Sequence, residues 1–232
     1  METPKTSEHP DLTMFIASAI HDMKNSLSVL TGFMEDSLGD PTLREQPIYK
    51  KMAPMFYEVK RLNDNLLELL AIYKVDRKFY PFDLAEHSVQ ELVAEVEQQS
   101  GTLLTTQNVQ LELDVPDDLY WYFDRDLVLG VISHALNNAS RYTRGRLRVA
   151  AAEVDGFLEL RVEDNGGGYP KAMIEEGVAV NRGMSFNTGS TGLGLYFSAM
   201  VAKMHKNQNK IGEIQLENGG KLGGGCFILR LP

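Results

Sequence analysis

The sequence predicts an α+β protein: an antiparallel helical hairpin that pairs with a second copy into a four-helix bundle, followed by an α/β sandwich. Three observations predict it. From about residue 12 to 76 apolar residues recur at alternating spacings of three and four, the period of a helix with one apolar seam. Gly39, Pro41 and Pro47 in "SLGDPTLREQP" interrupt that pattern once, as a turn between two helices does. Beyond residue 76, short alternating stretches, glycine clusters and further helical patterns interleave, which suits a sheet with helices on one face.

In the first helix the seam is Ile16, Ile20, Met23, Leu27, Leu30 and Met34; in the second it is Met55, Val59, Leu62, Leu66, Leu69 and Tyr73. A lone hairpin leaves half of each seam wet, so a homodimer is the economical way to bury the rest. Downstream, "NVQLELDVP" and "LYWYF" read as strands, and Asp124 stands where it can cap the helix "DLVLGVISHALNNASRYT". "RLRVAAAEVDGFLELRVED" reads as two strands joined at Asp155-Gly156. Glycines run directly into a helix in "GSTGLGLYFSAMVAKMH", and "KIGEIQLENGGKLGGGCFILRLP" is expected to be a second hairpin around Asn218-Gly219. The domain plan is a tail at 1–11, the hairpin at 12–76 and the sandwich at 77–232.

Composition excludes several classes of function. With 23 basic against 32 acidic residues the net charge is −9, the wrong sign for a nucleic-acid binder. Cys226 is the single cysteine, so no internal disulfide forms. No apolar run reaches the roughly 20 residues a bilayer demands, and the start lacks the basic and apolar regions of a signal peptide. A cytoplasmic protein without membrane insertion is the expectation.

The chemistry lies in four islands. In "AIHDMKNSLSVL" His21 follows Ile20 on the flank of the seam. Neutral imidazole is nucleophilic near pH 7; Asp22 beside it can accept its other N–H, and Asn25, one turn on, can orient water. Asn138 sits in a polar patch of an otherwise apolar helix, where its carboxamide oxygen can ligate Mg²⁺ held by phosphates, and Arg141 on the same face can reach a phosphate. In "EDNGGGYP" Asp164 ends a strand and can accept the exocyclic amine of adenine, while Gly166 and Gly168 let backbone approach the base. Gly192 and Gly194 precede a helix whose N–H groups favour phosphate. Each island alone has a structural explanation, as a solvated helix face, a cap, a turn or a helix entry.

Their order along the chain resembles the sensor histidine kinases over nearly the whole length, from about residue 12 onward. "HDMKNSL" is similar to their phosphoacceptor box, "ISHALNNASRYT" to their asparagine box, "DNGGG" and "TGLGL" to their glycine boxes. The resemblance implies an ATP-dependent protein-histidine kinase with ATP and Mg²⁺ as cofactors, a homodimer through the hairpin and a response-regulator receiver domain as partner. His21 would be phosphorylated with Asp22 as its acidic helper, and Asn25 falls where the family promotes dephosphorylation of the receiver. Asn138 would be the Mg²⁺ ligand; Arg141, Tyr142, Asp164, Gly166, Gly168, Thr191, Gly192, Leu193 and Gly194 would contact nucleotide. Residues 169–191 would form the lid over ATP.

Two residues depart from the family pattern: Ser26 where many relatives have proline, and His134 where they usually have asparagine. Only about a dozen residues precede the hairpin, so a separate sensory partner is expected. The competing readings are a phosphotransfer protein with a lapsed ATP site, a plain ATPase of the wider superfamily, and a dimeric adaptor. The intact glycine boxes count against the first. The second needs an acidic base in the asparagine-box helix, where this chain offers His134. Replacement of His21 separates the adaptor from the kinase.

Overall fold

The computed structural model describes residues 12–175 and 192–232, with side chains from residue 18 onward. The expectations for Thr191, for most of the lid, for the 1–11 tail and for the Ile16 side chain therefore lie outside the described residues.

Two 28-residue helices, α1 (Leu12–Gly39) and α2 (Tyr49–Asp76), form the hairpin. The turn between them is a 3₁₀ segment, Pro41–Leu43, whose first turn is closed by Asp40 accepting the Thr42 N–H at 2.8 Å. Ser26 returns its hydroxyl to the Asp22 carbonyl at 3.0 Å, and α1 continues through it. Each seam divides at seven-residue steps. Ile20 and Met34 are buried, with Leu27 between them half-buried, whereas Met23 and Leu30 are exposed; in α2 Val59, Leu66 and Tyr73 are half-buried, whereas Met55, Leu62 and Leu69 are exposed. A single hairpin thus covers about one apolar row per helix and leaves a second row wet.

The second part begins with β1 (Ala85–Ser88) and α3 (Val89–Gln107), followed by β2 (Gln110–Asp114) and β3 (Tyr120–Phe123). Asp124 caps α4 (Arg125–Tyr142), accepting the Leu127 N–H at 3.1 Å. Strands β4 (Arg146–Val154) and β5 (Phe157–Asp164) turn at Asp155-Gly156 as their sequence predicts, both residues taking positive φ. After α5 (Lys171–Glu175) come α6 (Leu193–Met204), the short pair β6 (Lys206–Asn207) and β7 (Lys210–Ile211), then β8 (Glu213–Gly219) and β9 (Gly224–Leu231). The five-stranded sheet has the order β2-β4-β5-β9-β8, parallel only between β2 and β4.

The last hairpin differs from expectation. Asn218 pairs with Gly225 and Gly219 with Gly224, so the connection is residues 220–223 rather than Asn218-Gly219. In this glycine-rich stretch several dipeptides can turn. The Asn218 side chain is committed elsewhere: its oxygen accepts the Tyr169 N–H at 2.6 Å and its nitrogen donates to the Tyr169 carbonyl at 2.9 Å.

One sheet face and helices α3, α4 and α6 enclose the core, in which Val131, Leu136, Leu160 and Leu229 are fully buried. The alternate residues face away and form charge ladders: Arg148 between Asp114 and Glu163, and Arg230 between Glu159 and Glu213. Asp114 lies well below the usual carboxylate range, at about 2, because Lys221 and Arg148 both bond it.

Apolar packing and a clamp on the connecting segment help set the sandwich against the hairpin. Phe56 of α2, with Met34 and Leu38 of α1, packs on Leu103 of α3. Ala71 and Ile72 of α2 pack on the main core. The connecting segment is clamped at Asp124, which accepts the Tyr80 hydroxyl at 3.0 Å and the Asp83 N–H at 2.9 Å. Behind this clamp the Asp124 N–H donates to Nε2 of buried His205 at 3.0 Å, and Nδ1 of His205 lies 2.8 Å from the Val201 carbonyl. These two bonds require the neutral Nδ1–H tautomer.

Candidate functional site

His21 sits on the exposed side of α1. Its Nδ1 is 3.6 Å from an Asp22 oxygen and 3.4 Å from the Asn25 amide nitrogen. Asn25 meets it because positions four apart in a helix share a face. Nε2 has no hydrogen-bond partner among the described residues; at Nδ1 the Asp22 carboxylate would accept from an N–H, whereas the Asn25 amide would donate to a bare nitrogen. Among the described residues no hydrogen bond or ion pair joins His21 or Asp22 to Asn138, Asp164, Gly192 or Gly194; their side-chain contacts are with each other, Asn25 and Ser26.

The nucleotide-side residues fall into two groups, at the C-terminal half of α4 and at the end of β5. In the β5 group Asp164 is buried, and its Oδ1 accepts the Gly166 N–H at 2.6 Å. Gly166 lies so close to the Tyr142 carbonyl that a Cβ there would collide with backbone, which joins the end of α4 to the Asp164 loop. Asn165 secures the same junction, its oxygen accepting the Thr143 hydroxyl at 2.8 Å and the Arg144 N–H at 2.9 Å. Arg141 stands over the Tyr142 ring with its guanidinium carbon 5.5 Å from the centroid. Gly168 abuts the Asn218 amide that holds Tyr169. Burial and the nearby Asp164 carboxylate push the Tyr169 phenol above its ordinary range.

In the α4 group, half-buried Asn138 has its Nδ2 2.5 Å from Nε2 of His134. The His134 ring lies on Gly194, the second residue of α6, and any side chain at 194 would occupy the space of the ring. Leu193 opens α6 and Gly192 caps it, so Asn138 and this helix entry adjoin the same imidazole. The other face of that imidazole belongs to the hairpin: Nδ1 of His134 pairs with the Glu68 carboxylate of α2. Glu68 is 5% exposed. One turn earlier Asp64 accepts the Asn137 amide at 2.6 Å, and burial holds the Asp64 carboxyl above its usual value.

Magnesium fits this chemistry through one ligand. Among the described residues no cluster of three or more His, Cys, Asp or Glu could hold a metal by itself. Asn138 offers a hard carboxamide oxygen that accepts no hydrogen bond among the described residues, and Mg²⁺ commonly takes one such ligand and completes its shell with phosphates and water.

Of the residues singled out in the sequence, Asn138 lies in the α4 group and Arg141, Tyr142 and Asp164 at the β5 junction; Asp64, Glu68 and Asn137 were not singled out, nor was Asn218 as a partner of Tyr169. Asp64 and Glu68 are four residues apart in "LNDNLLELL", a spacing that puts two carboxylates on one helix face. Asn218 left no signal, since its role depends on β8 lying beside Tyr169.

Comparison with known proteins agrees with this arrangement. Residues 123–232 match the family described as histidine kinase-, DNA gyrase B- and HSP90-like ATPase. Sensor protein SrrB of Staphylococcus aureus is 23% identical over 225 residues, 94% of this chain and 37% of that protein. The phosphate regulon sensor protein PhoR of Pseudomonas aeruginosa is 25% identical over 206 residues, 86% of this chain and 46% of that protein. This chain thus spans less than half the length of either relative. Among solved structures, Acinetobacter baumannii histidine kinase AdeS superposes with a TM-score of 0.58 at 19% identity, covering 91% of this chain and 96% of that one.

Proposed function

We propose that this chain, which has the plan of a sensor histidine kinase core, is an ATP-dependent protein-histidine kinase that phosphorylates its own His21. The observation that carries the reading is the pairing of a solvent-facing imidazole, backed by Asp22, with an ATPase-family domain on the same chain. Nε2 of His21 attacks the γ-phosphorus; the N–P bond forms as the Pγ–O bond to ADP breaks, and the electron pair leaves with ADP. Asp22 holds the Nδ1 proton and offsets the positive charge that grows on the ring. Magnesium, when bound with nucleotide, neutralises charge on the phosphates. Asn138 holds that metal, Arg141 a phosphate, and Asp164 the adenine amine, so the domain mainly positions the donor. Tyr142, Gly166, Gly168, Thr191, Gly192, Leu193 and Gly194 complete the nucleotide surface.

In the reaction the ATP-loaded sandwich swings onto the His21 face of α1. The phosphoryl group then passes to a receiver-domain aspartate, and Asn25 orients the water that later removes it from that aspartate. The working unit is a homodimer in the cytoplasm. Among the described residues no helix is long and apolar enough to cross a membrane.

Incubation with γ-labelled ATP and Mg²⁺ tests the reading. Label is expected on the protein, lost in acid and stable in base, and absent from His21→Ala. Equal labelling of that variant overturns the assignment.

A further inference from the structure

We infer that Glu68, on the hairpin, is a positioning residue for the metal ligand of the nucleotide domain, acting on Asn138 through the ring of His134. The inference rests on the reading of Asn138 as the Mg²⁺ ligand.

The Glu68 carboxylate lies against Nδ1 of His134 as a close ion-pair contact rather than an aligned hydrogen bond, and an acceptor at that place favours the proton on Nδ1 of the ring. A neutral imidazole protonated at Nδ1 has a lone pair at Nε2. The atom of Asn138 that meets Nε2 at 2.5 Å must then be its NH₂ group, which is the orientation observed. With its nitrogen committed to His134, Asn138 has its oxygen turned away from the ring and open to a cation. The opposite tautomer would draw that oxygen onto Nε2–H and out of the metal's reach. A carboxylate behind a histidine is a common device for fixing ring orientation beside metals; here it fixes a neighbouring carboxamide instead.

Two features of the structure indicate that the relay is built. Glu68 is almost wholly buried, and neither of its oxygens has a hydrogen-bond partner among the described residues apart from this ion-pair contact. A buried carboxylate with one partner is costly to keep. Gly194 is the residue that makes room for the ring, since any larger side chain would displace it. Histidine at 134 therefore has a defined role where asparagine is usual. Because Glu68 belongs to α2, the metal ligand is set only while the sandwich lies on the hairpin, so domain docking and metal-dependent nucleotide binding are coupled.

The test is the affinity of the full-length dimer for a non-hydrolysable ATP analogue, measured by calorimetry with Mg²⁺ and again with EDTA. Glu68→Leu is expected to cut the magnesium-dependent gain in affinity about tenfold, the lower end of what outer partners of metal ligands contribute, and to leave binding in EDTA unchanged. Glu68→Gln keeps an acceptor for Nδ1–H and is expected to retain most of the gain, whereas a purely electrostatic effect of the carboxylate would vanish in both variants. Imidazole ¹⁵N shifts of the unaltered protein supply a second readout, with His134 expected as the Nδ1–H tautomer. A magnesium effect that Glu68→Leu leaves intact, or an Nε2–H tautomer, overturns the relay alone. Absence of any magnesium effect in the unaltered protein removes the premise that Asn138 holds the metal, and the relay fails with it.

Discussion

At His21 the two ring nitrogens have different surroundings, and that difference divides the labour among its neighbours. Asp22 and Asn25 both approach Nδ1, but only Asp22 carries charge that can stabilise an imidazolium. Asp22→Asn is expected to lower the rate of autophosphorylation by roughly 10²- to 10⁴-fold, the range for a positioned acid–base group, with nucleotide affinity little changed. Asn25→Ala should leave autophosphorylation largely intact and slow dephosphorylation of the receiver. Measuring both rates for both variants checks the division; equal loss of labelling in the two would reduce Asn25 to a structural residue of α1.

Among the elements, the connection between α2 and the sandwich depends on a histidine that must stay neutral. His205 accepts the Asp124 N–H at Nε2, and the Asp124 carboxylate in turn anchors Tyr80 and Asp83 of the connecting segment, while Phe82 places its ring edge-on to the imidazole at 5.1 Å. Burial lowers the His205 pKa below 6.5, outweighing the opposite pull of the Val201 carbonyl and the Asp124 carboxylate. A proton at Nε2 would face the Asp124 N–H, donor against donor. With the folded pKa below the unfolded one, the stabilisation is fully present above pH 6.5 and is lost as pH falls toward the folded value. Urea midpoints measured from pH 8 to pH 5 should therefore fall, and His205→Leu should flatten the part of that fall that begins below pH 6.5. An unchanged slope in the variant would show that other groups carry the acid sensitivity.

For the whole molecule the exposed half of the hairpin seam decides the assembly. Met23, Leu30, Met55, Leu62 and Leu69 are each 42% exposed or more, an apolar row too long to leave in water on two neighbouring helices. A second hairpin laid against it completes a four-helix bundle. Sedimentation or light scattering is expected to give twice the 26.0 kDa chain mass. Leu30→Asp combined with Leu62→Asp should return the mass to that of one chain, because each dimer would bury four unpaired carboxylates. A dimer that persists in the double variant would place the interface elsewhere.

The helical hairpin, the Asp124 cap, the Asp155-Gly156 turn and the residue types of the candidate site were legible in the sequence because each is a local pattern. Helical spacing, a cap three residues before its target N–H, and a two-residue turn need no knowledge of distant chain. The final hairpin was legible only as a hairpin: clustered glycines permit several turns, and the bond from Asn218 to Tyr169, 49 residues away in sequence, accompanies the one adopted. Likewise, which half of each seam stays wet depended on how α1 meets α2. What Glu68 and Asp64 meet is not legible in the sequence, since their contacts with His134 and Asn137 form only when α2 and α4 pack together. By itself the sequence determined the elements and the chemical groups available. The tertiary structure decided which carboxylate faces which imidazole, because a buried donor takes its acceptor from whatever element packing brings within reach, however distant along the chain.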